Sequence, residues 1–188
     1  MKIEEGKIKG AYIIQLEPRE DERGFFMRVY DKNIFAEHGI DYNWVQENHS
    51  LSKLKGTVRG LHFQYQPDSE TKLLRLTSGE AFFAFVDLRK NSPTFGQYDT
   101  AILSGQNKKI LLVPKGCANG MCTLIENVNL HYRVDNYYAS NNEDNIKWND
   151  PDLNIPWPTK EPAVISERDS KAQSFKEFLQ KSGGGLEI

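Results

Sequence analysis

The stretch LLRLTSGEAFFAFVDL, residues 73–88, decides the fold of this chain. It consists of two short apolar segments, residues 73–77 and 80–88, which flank the turn Ser78-Gly79. Apolar and aromatic segments of this length, separated by a glycine turn, predict two short strands. The centre of the chain is therefore expected to consist of β-strands joined by tight turns.

Short strands continue on both sides of these two. The further predicted strands are residues 8–16, 25–30, 57–65, 98–103, 108–113, 121–126 and 130–138. Because no helical segments lie between the central strands, their spacing predicts an all-β sandwich, jelly roll or barrel.

Two helices flank the predicted strands of the centre. A short helix over residues 31–38, capped by Asp31 or Asn33, is expected before them, with Gly39 at its exit. A second helix is expected over residues 166–179. The glycines at 183–185 predict a flexible tail over residues 183–188, and we expect one domain over residues 1–188.

Length and composition exclude several classes of protein. The 24 basic and 26 acidic side chains leave a net charge of −2, so no general field attracts the chain to nucleic acid. No segment approaches the roughly 18 apolar residues of a membrane span, and the first residues do not form a signal peptide. Cys117 and Cys122 lack a CxxC pattern, which argues against a disulfide scaffold or a cysteine zinc site. We therefore expect a cytoplasmic protein.

Ionisable residues inside predicted strands are candidates for chemistry, because the interior of a barrel is apolar by default. They are Arg59 with His62, Lys72 with Arg75, and His131 with Tyr132. Side chains alternate along a strand, so Arg59 and His62 point to opposite faces unless a bulge brings them together. An isolated strand histidine is more often a hydrogen-bonded structural residue than a titrating group. His62 also lacks the His-x-His pattern of a barrel metal site, so a site without metal is favoured.

Asp169 has two possible roles. In the run Ser166-Glu167-Arg168-Asp169, a serine is followed three residues later by an acid, which is a helix-start pattern. In that pattern the acid returns to the backbone of the cap residue. On local sequence alone, the capping role is favoured over a role in a functional site.

Ten short motifs occur in register along the chain. They are DERGFF (21–26), QENHS (46–50), RGLHFQ (59–64), KLLR (72–75), VDLR (86–89), SPTFG (92–96), VPKG (113–116), YY (137–138), IKWND (146–150) and SERD (166–169). Each motif alone is weak, but together they span roughly residues 8–170. In this pattern the chain strongly resembles the dTDP-4-dehydrorhamnose 3,5-epimerase family.

The resemblance implies a fold and a set of catalytic roles. The fold is a cupin-type jelly roll, the enzyme needs neither metal nor cofactor, and it is usually a homodimer that exchanges N-terminal strands. His62 would remove the proton next to the C4 ketone of a nucleotide-diphosphate 4-keto sugar, and Asp169 would pair with His62. Tyr132 would return a proton on the opposite face, and Lys72 would lie near the ketone oxygen.

The resemblance also implies the contacts that hold the sugar nucleotide. The matching positions are Arg23, Phe26, Arg28, Gln46, Asn48, Arg59, Asn119, Tyr138, Glu143 and Arg168. Arg23 and its strand would serve the pocket of the partner subunit.

Three positions differ from the family pattern. Asn119 replaces a histidine of the sugar pocket, and Phe83 replaces an inward acid near Lys72. Arg28 replaces a glutamate near the nucleotide base. We therefore expect a nucleotide-sugar epimerase of deoxysugar and surface-polysaccharide biosynthesis that inverts C3, C5 or both of an NDP-4-keto-6-deoxy sugar, with a sugar other than the standard 6-deoxyhexose as an open alternative.

Alternative functions remain open at this point. An arginine fork at position 28 can bind a guanine edge, which makes a GDP-linked 4-keto heptose an alternative substrate; a surface ion pair is the other role for Arg28. A 3,4-ketoisomerase would use the same histidine base but relocate the ketone. An inactive sugar-nucleotide binding domain is the third alternative, and the presence of all four catalytic residue types argues against it.

Overall fold

The computed structural model describes residues 1–188, which form two facing antiparallel sheets. The order of strands in the six-stranded sheet is β1 (Lys2–Glu5), β2 (Tyr12–Gln15), β10 (Lys109–Val113), β7 (Lys72–Ser78), β12 (Val128–Val134) and β5 (Gln46–Ser52). The order in the five-stranded sheet is β13 (Glu143–Asn145), β6 (Val58–Gln64), β11 (Cys117–Thr123), β8 (Glu80–Asp87) and β9 (Tyr98–Ser104). A separate hairpin contains β3 (Arg19–Asp21) and β4 (Gly24–Phe26). The predicted all-β, cupin-type jelly roll is confirmed.

The core between the two sheets follows from the alternation in the two central strands, β7 and β8, which lie in different sheets and face each other across the core. Leu74 of β7 and Phe83 and Phe85 of β8 join a cluster of 14 buried residues drawn from both sheets. Leu73 and Ala84, one position along, belong instead to clusters on the outer faces. The strands are apolar on both sides because each sheet is covered on both of its faces.

Three short helices cover the outside of the sheets. In α1 (Lys32–Ala36), Asp31 caps the first turn and Phe35 packs against the six-stranded sheet. The other two are α2 (Glu167–Ser170) and α3 (Phe175–Ser182). Phe178 of α3 packs on the outer face of the five-stranded sheet. None of these helices has the length and apolar character needed to cross a membrane.

The C-terminal region differs from its prediction in two respects. The single helix expected over residues 166–179 is wrong, because the chain leaves the helix after Ser170 and Ser174 caps a new one. Between them, the backbone of Gln173 accepts a hydrogen bond from Lys147 N at 2.8 Å, which draws the chain out of helical geometry. In contrast to the expected flexible tail, Leu186 is buried and its backbone bonds to both Leu88 and Lys90.

The strand predictions fail mainly at the edges of the sheets. The strands expected over residues 8–16 and 25–30 are shorter, at Tyr12–Gln15 and Gly24–Phe26. Four strands were not predicted, namely β1, β3, β5 and β13. Most of their side chains are polar and are not buried. These strands therefore lack the apolar alternation by which a strand is identified in a sequence.

Candidate active site

A cavity of about 290 Å³ opens between the two sheets. Its lining combines charged, aromatic and apolar side chains: Ser50, Arg59, His62, Lys72, Leu74, Phe83, Asn119, Gly120, Met121, Leu130, Tyr132, Tyr138, Glu143 and Arg168. His62 lies on β6 of the five-stranded sheet, whereas Tyr132 lies on β12 of the six-stranded sheet. The histidine and the tyrosine therefore approach the cavity from different walls.

His62 is held by Asp169 from behind the cavity. Its Nε2 atom lies 2.6 Å from Asp169 Oδ1, and the carboxylate side chain is only 4% exposed. An ionised carboxylate can only accept a hydrogen bond, so His62 Nε2 carries the ring proton and donates a hydrogen bond to Asp169. In the neutral ring this leaves Nδ1 without a proton and able to act as a base.

Two further donors fix the Asp169 carboxylate, and an acceptor caps its helix. The backbone N–H of Gly60 donates to Oδ2 at 3.1 Å, and Asn145 Nδ2 donates to Oδ1 at 3.2 Å. Ser166 Oγ accepts from Asp169 N at 3.0 Å, so the serine does cap α2. Burial raises the pKa of Asp169, but the bonds from His62, Gly60 and Asn145 outweigh it and hold that pKa below its ordinary value. The acid therefore stays ionised and points to the histidine, not back to the cap.

A bulge brings Arg59 and His62 to the same cavity. β11 pairs with β6 at Asn119–His62 and at Met121–Arg59, with a register shift between the two pairs. Gly60 lies at this shift with φ +113°, and a Cβ there would lie 2.5 Å from Gly120 Cα. Only glycine fits both the backbone and the space, which explains why side chains three positions apart share one cavity.

Lys72 enters the cavity from β7 with its charge paired. Its Nζ lies 3.1 Å from Glu70 Oε1, and both side chains are nearly buried. Tyr132 is on the neighbouring strand. Burial above all, then the carboxylates of Glu70 and Glu143, raises the pKa of Tyr132 above its ordinary value. A phenol in this position is therefore protonated at neutral pH and can donate a proton.

Glu143 organises the polar side of the cavity. Tyr138 Oη donates to Glu143 Oε2 at 3.0 Å, and Arg168 Nη1 donates to the same oxygen. Gln46 lies beside this group, since its Oε1 accepts from Tyr138 N at 3.4 Å. Gln46 Nε2 in turn donates to Asn48 Oδ1 at 2.9 Å. All five residues were candidate ligand contacts in the sequence; Tyr138, Glu143 and Arg168 line the cavity, whereas Gln46 and Asn48 are linked to them by hydrogen bonds but lie outside its lining.

Three candidate contacts lie away from the cavity within this single chain. Arg23 is on the β3–β4 hairpin, is 90% exposed and bonds to Asp21. Phe26 is on the same hairpin and is 68% exposed. Arg28 pairs with Asp31 at 3.2 Å, which is the surface ion pair considered for it from the sequence. Phe26 and Arg28 line a different cavity next to the hairpin.

Two positions at which the sequence departs from the family pattern line the cavity. Phe83 is 1% exposed and forms part of the apolar wall. Asn119 is paired with His62 across the sheet, and its Oδ1 atom is buried without a hydrogen-bond partner. The structure contains no group of three or more His, Cys, Asp or Glu side chains placed to hold a metal ion.

Two residues of the site were missed in the sequence. Asn145, on the unpredicted strand β13, donates to Asp169. Glu70, paired with Lys72, lies between Ser69 and Thr71 in a segment that resembles a polar loop. Its spacing of two residues from Lys72 was the available signal, because residues i and i+2 of an extended chain share a face.

Comparison with known proteins shows that this jelly roll and its cavity are those of a carbohydrate epimerase. The family model described as dTDP-4-dehydrorhamnose 3,5-epimerase matches residues 5–177. The chain therefore belongs to the dTDP-4-dehydrorhamnose 3,5-epimerase family, as its motifs predict.

Individual relatives agree over nearly the whole chain. A dTDP-4-dehydrorhamnose 3,5-epimerase of Shigella flexneri is 39% identical over 176 residues, covering 93% of this chain and 96% of the relative. One from Salmonella typhimurium is 43% identical over 170 residues, covering 89% and 92%. The crystal structure of the Bacillus anthracis enzyme with TDP and PPi bound superposes with a TM-score of 0.90 at 40% identity, covering 93% and 99% of the two chains.

Proposed function

We propose that this enzyme inverts one or both of the carbons that flank the ketone, C3 and C5, of a dTDP-linked 4-keto-6-deoxy sugar. The observation that carries the proposal is the placement of His62, backed by Asp169, and Tyr132 on opposite walls of one cavity. The names of the relatives and the TDP bound to one of them support the thymidine nucleotide. Arg28 is paired with Asp31, so nothing at that position favours a guanine nucleotide.

In the first step, His62 takes the proton from a carbon next to the ketone. Such a proton is too weakly acidic for a neutral imidazole unless the enolate that forms is stabilised. The ammonium of Lys72, largely withdrawn from water, supplies that stabilisation, and one well-placed donor can contribute about 3–4 kcal/mol. Asp169 keeps Nε2 protonated and so directs Nδ1 to the substrate.

In the second step, Tyr132 returns a proton to the other face of the flat enolate. A single residue that both removes and returns the proton would regenerate the starting sugar. Inversion therefore needs a donor on the wall opposite the base, and the two facing sheets supply one residue each. The raised pKa of Tyr132, caused first by burial, suits this role because the phenol stays protonated.

The diphosphate is held by the two arginines that line the cavity. Arg59 and Arg168 both line it, and their planar forks can each bind two phosphate oxygens. Glu143 already orients Arg168 in the free protein. Gln46, Asn48 and Tyr138 extend this polar side and complete the proposed nucleotide contacts.

The test offers dTDP-, GDP- and CDP-linked 4-keto sugars to the protein in heavy water and follows ring-proton loss by NMR. We expect deuterium at C3, C5 or both of the dTDP-linked sugar, with the ketone still at C4. Relocation of the ketone to C3 would identify a ketoisomerase instead. Binding without exchange of any sugar would identify an inactive binding domain and contradict the proposal.

We also propose a homodimer in which the β3–β4 hairpin reaches the cavity of the partner subunit. The exposure of Phe26 and Arg23 on this hairpin supports the proposal, since a projecting apolar edge is typical of an interface.

A reducing, cytoplasmic setting is proposed as well. It is supported by Cys117 and Cys122, which are free and buried and whose thiol pKa values are raised by burial.

Mixing two inactive variants tests whether Arg23 acts across the dimer. Arg23→Ala and His62→Ala are each expected to lose activity alone. If Arg23 serves the partner's cavity, a mixed dimer contains one site with both residues intact, and refolding an equal mixture restores about a quarter of the native activity. No recovery in a mixture that sedimentation confirms as dimeric would place Arg23 in its own subunit's site or outside any site.

A further inference from the structure

Glu70 lies beside the cavity without touching it. Its side chain is only 10% exposed and does not belong to the cavity lining. Burying a carboxylate is costly unless a cation and hydrogen bonds compensate for the lost water. Burial raises the pKa of Glu70, and the adjacent ammonium of Lys72 is the main group that opposes this increase. A buried acid with this single cationic partner calls for a reason.

The backbone around Glu70 is fixed by its neighbours. Ser69 Oγ accepts from Gly116 N at 3.1 Å, and Thr71 N donates to Asp135 Oδ1 at 2.6 Å. Lys72 begins β7 and is paired on both sides, with Val113 of β10 and Val134 of β12. Because these elements hold the backbone on both sides of it, Glu70 presents its carboxylate from a rigid support.

The pairing of Lys72 depends on Glu70, because no other side-chain acceptor is bonded to its ammonium. Leu74, on the same strand, and Phe83, on the facing sheet, also line the cavity, but neither can accept a hydrogen bond. The carboxylate that the structure places on Lys72 is that of Glu70, with Oε1 and Nζ 3.1 Å apart. A flexible four-carbon side chain without such a partner would sample several rotamers at the cavity wall.

We propose that Glu70 is a positioning residue that fixes the ammonium of Lys72 at the place where the enolate oxygen develops. This inference rests on the proposed function, since the enolate is an intermediate of that reaction. Glu70 acts only through the lysine and through its charge near Tyr132, and it makes no contact with the sugar. It therefore affects the rate of the chemical step more than the binding of substrate.

The test is a double-mutant cycle on the rate of deuterium exchange into a dTDP-linked 4-keto-6-deoxy sugar. Glu70→Gln is isosteric, and we expect it to lower kcat about tenfold with KM nearly unchanged. In a Lys72→Met background, the same substitution is expected to cause no further loss at neutral pH, because the ammonium that Glu70 positions is gone and Tyr132 is protonated in either case. Glu187→Gln is the matched control; it removes an exposed carboxylate 3.3 Å from Lys90, far from the cavity, and should leave kcat unchanged.

The pH dependence of net inversion provides a second measurement. It would not change in Glu70→Gln if Glu70 had only a structural role. The groups that act on Tyr132 are Glu70, Glu143, Arg59 and Tyr138. Removing the Glu70 charge takes away one cause of the raised pKa of Tyr132, so the alkaline limit of Glu70→Gln should move to lower pH.

Three outcomes separate the possibilities. A native kcat in a folded Glu70→Gln variant would overturn the inference. Suppose that Glu70→Gln lowers kcat equally in the native and Lys72→Met backgrounds and leaves the alkaline limit unchanged. Glu70 would then be only a structural residue, and the inference would again be overturned. Absence of exchange in the native protein with every sugar nucleotide would overturn the proposed function itself.

Discussion

The substitution His62→Ala is expected to reduce solvent exchange at the substrate carbon by about 10³-fold, the range for loss of a general base. The imidazole is the group proposed to remove the proton, and Asp169, left without its partner, is buried outside the cavity lining and cannot replace it. NMR in heavy water measures the exchange rate directly. Binding of dTDP should persist, because the proposed diphosphate contacts come from Arg59 and Arg168 in the cavity lining.

The matched control for this variant is His38→Ala. His38 follows α1 on the surface, where its Nδ1 lies 3.0 Å from Ile34 O, and it has no part in the cavity. The His38→Ala variant should exchange deuterium into the substrate at the same rate as the native protein. A folded His62→Ala variant that exchanges at the native rate would refute the assignment of the base.

The substitution Tyr132→Phe should separate the two halves of the reaction. Loss of the hydroxyl removes the proposed donor, so net inversion is expected to fall about 100-fold, within the range for loss of a general acid. Exchange at one carbon should fall much less, because His62 still removes a proton and can return deuterium to the same face. The retained ring preserves packing against the buried core.

Two measurements on the same sample test this separation. NMR follows deuterium uptake, and the configuration of the isolated product gives net inversion. Tyr98→Phe, which removes a hydroxyl on the outer face of the five-stranded sheet, serves as the control. If Tyr132→Phe loses exchange and inversion by the same factor, the phenol takes part in proton removal, and the division of roles proposed here is wrong.

The jelly roll could be predicted because its central strands carry their information locally. Residues 73–88 are buried on both faces, so their apolar character and the Ser78-Gly79 turn suffice to identify them. β5 could not be identified in the same way. Its polar sequence, QENHSLS, becomes a strand only because β12 pairs with it along seven residues. Pairing of this kind depends on the tertiary structure and leaves no pattern in the strand itself.

The site was predictable only where a residue's partner could be identified by resemblance. Asp169 fits a helix cap by local rules, and the structure does use Ser166 as that cap, yet the carboxylate lies on a histidine 107 residues away. Glu70 lies in a polar segment that no local rule connects with catalysis. Arg59 and His62 share a cavity only because of the bulge at Gly60, which alternation along an ideal strand excludes. The roles assigned to these residues stay predictions until the variants are measured.

The place of α2 in the chain bears on when this protein becomes active during its synthesis. The helix that carries Asp169 follows β13, the last of the strands. A ribosome therefore delivers every strand before it delivers the carboxylate that orients His62. The nascent jelly roll can close around an imidazole that has no fixed tautomer, and it acquires its catalytic arrangement only when α2 docks against Gly60 and Asn145. We therefore expect the proposed turnover to begin only after α2 has been translated and has docked.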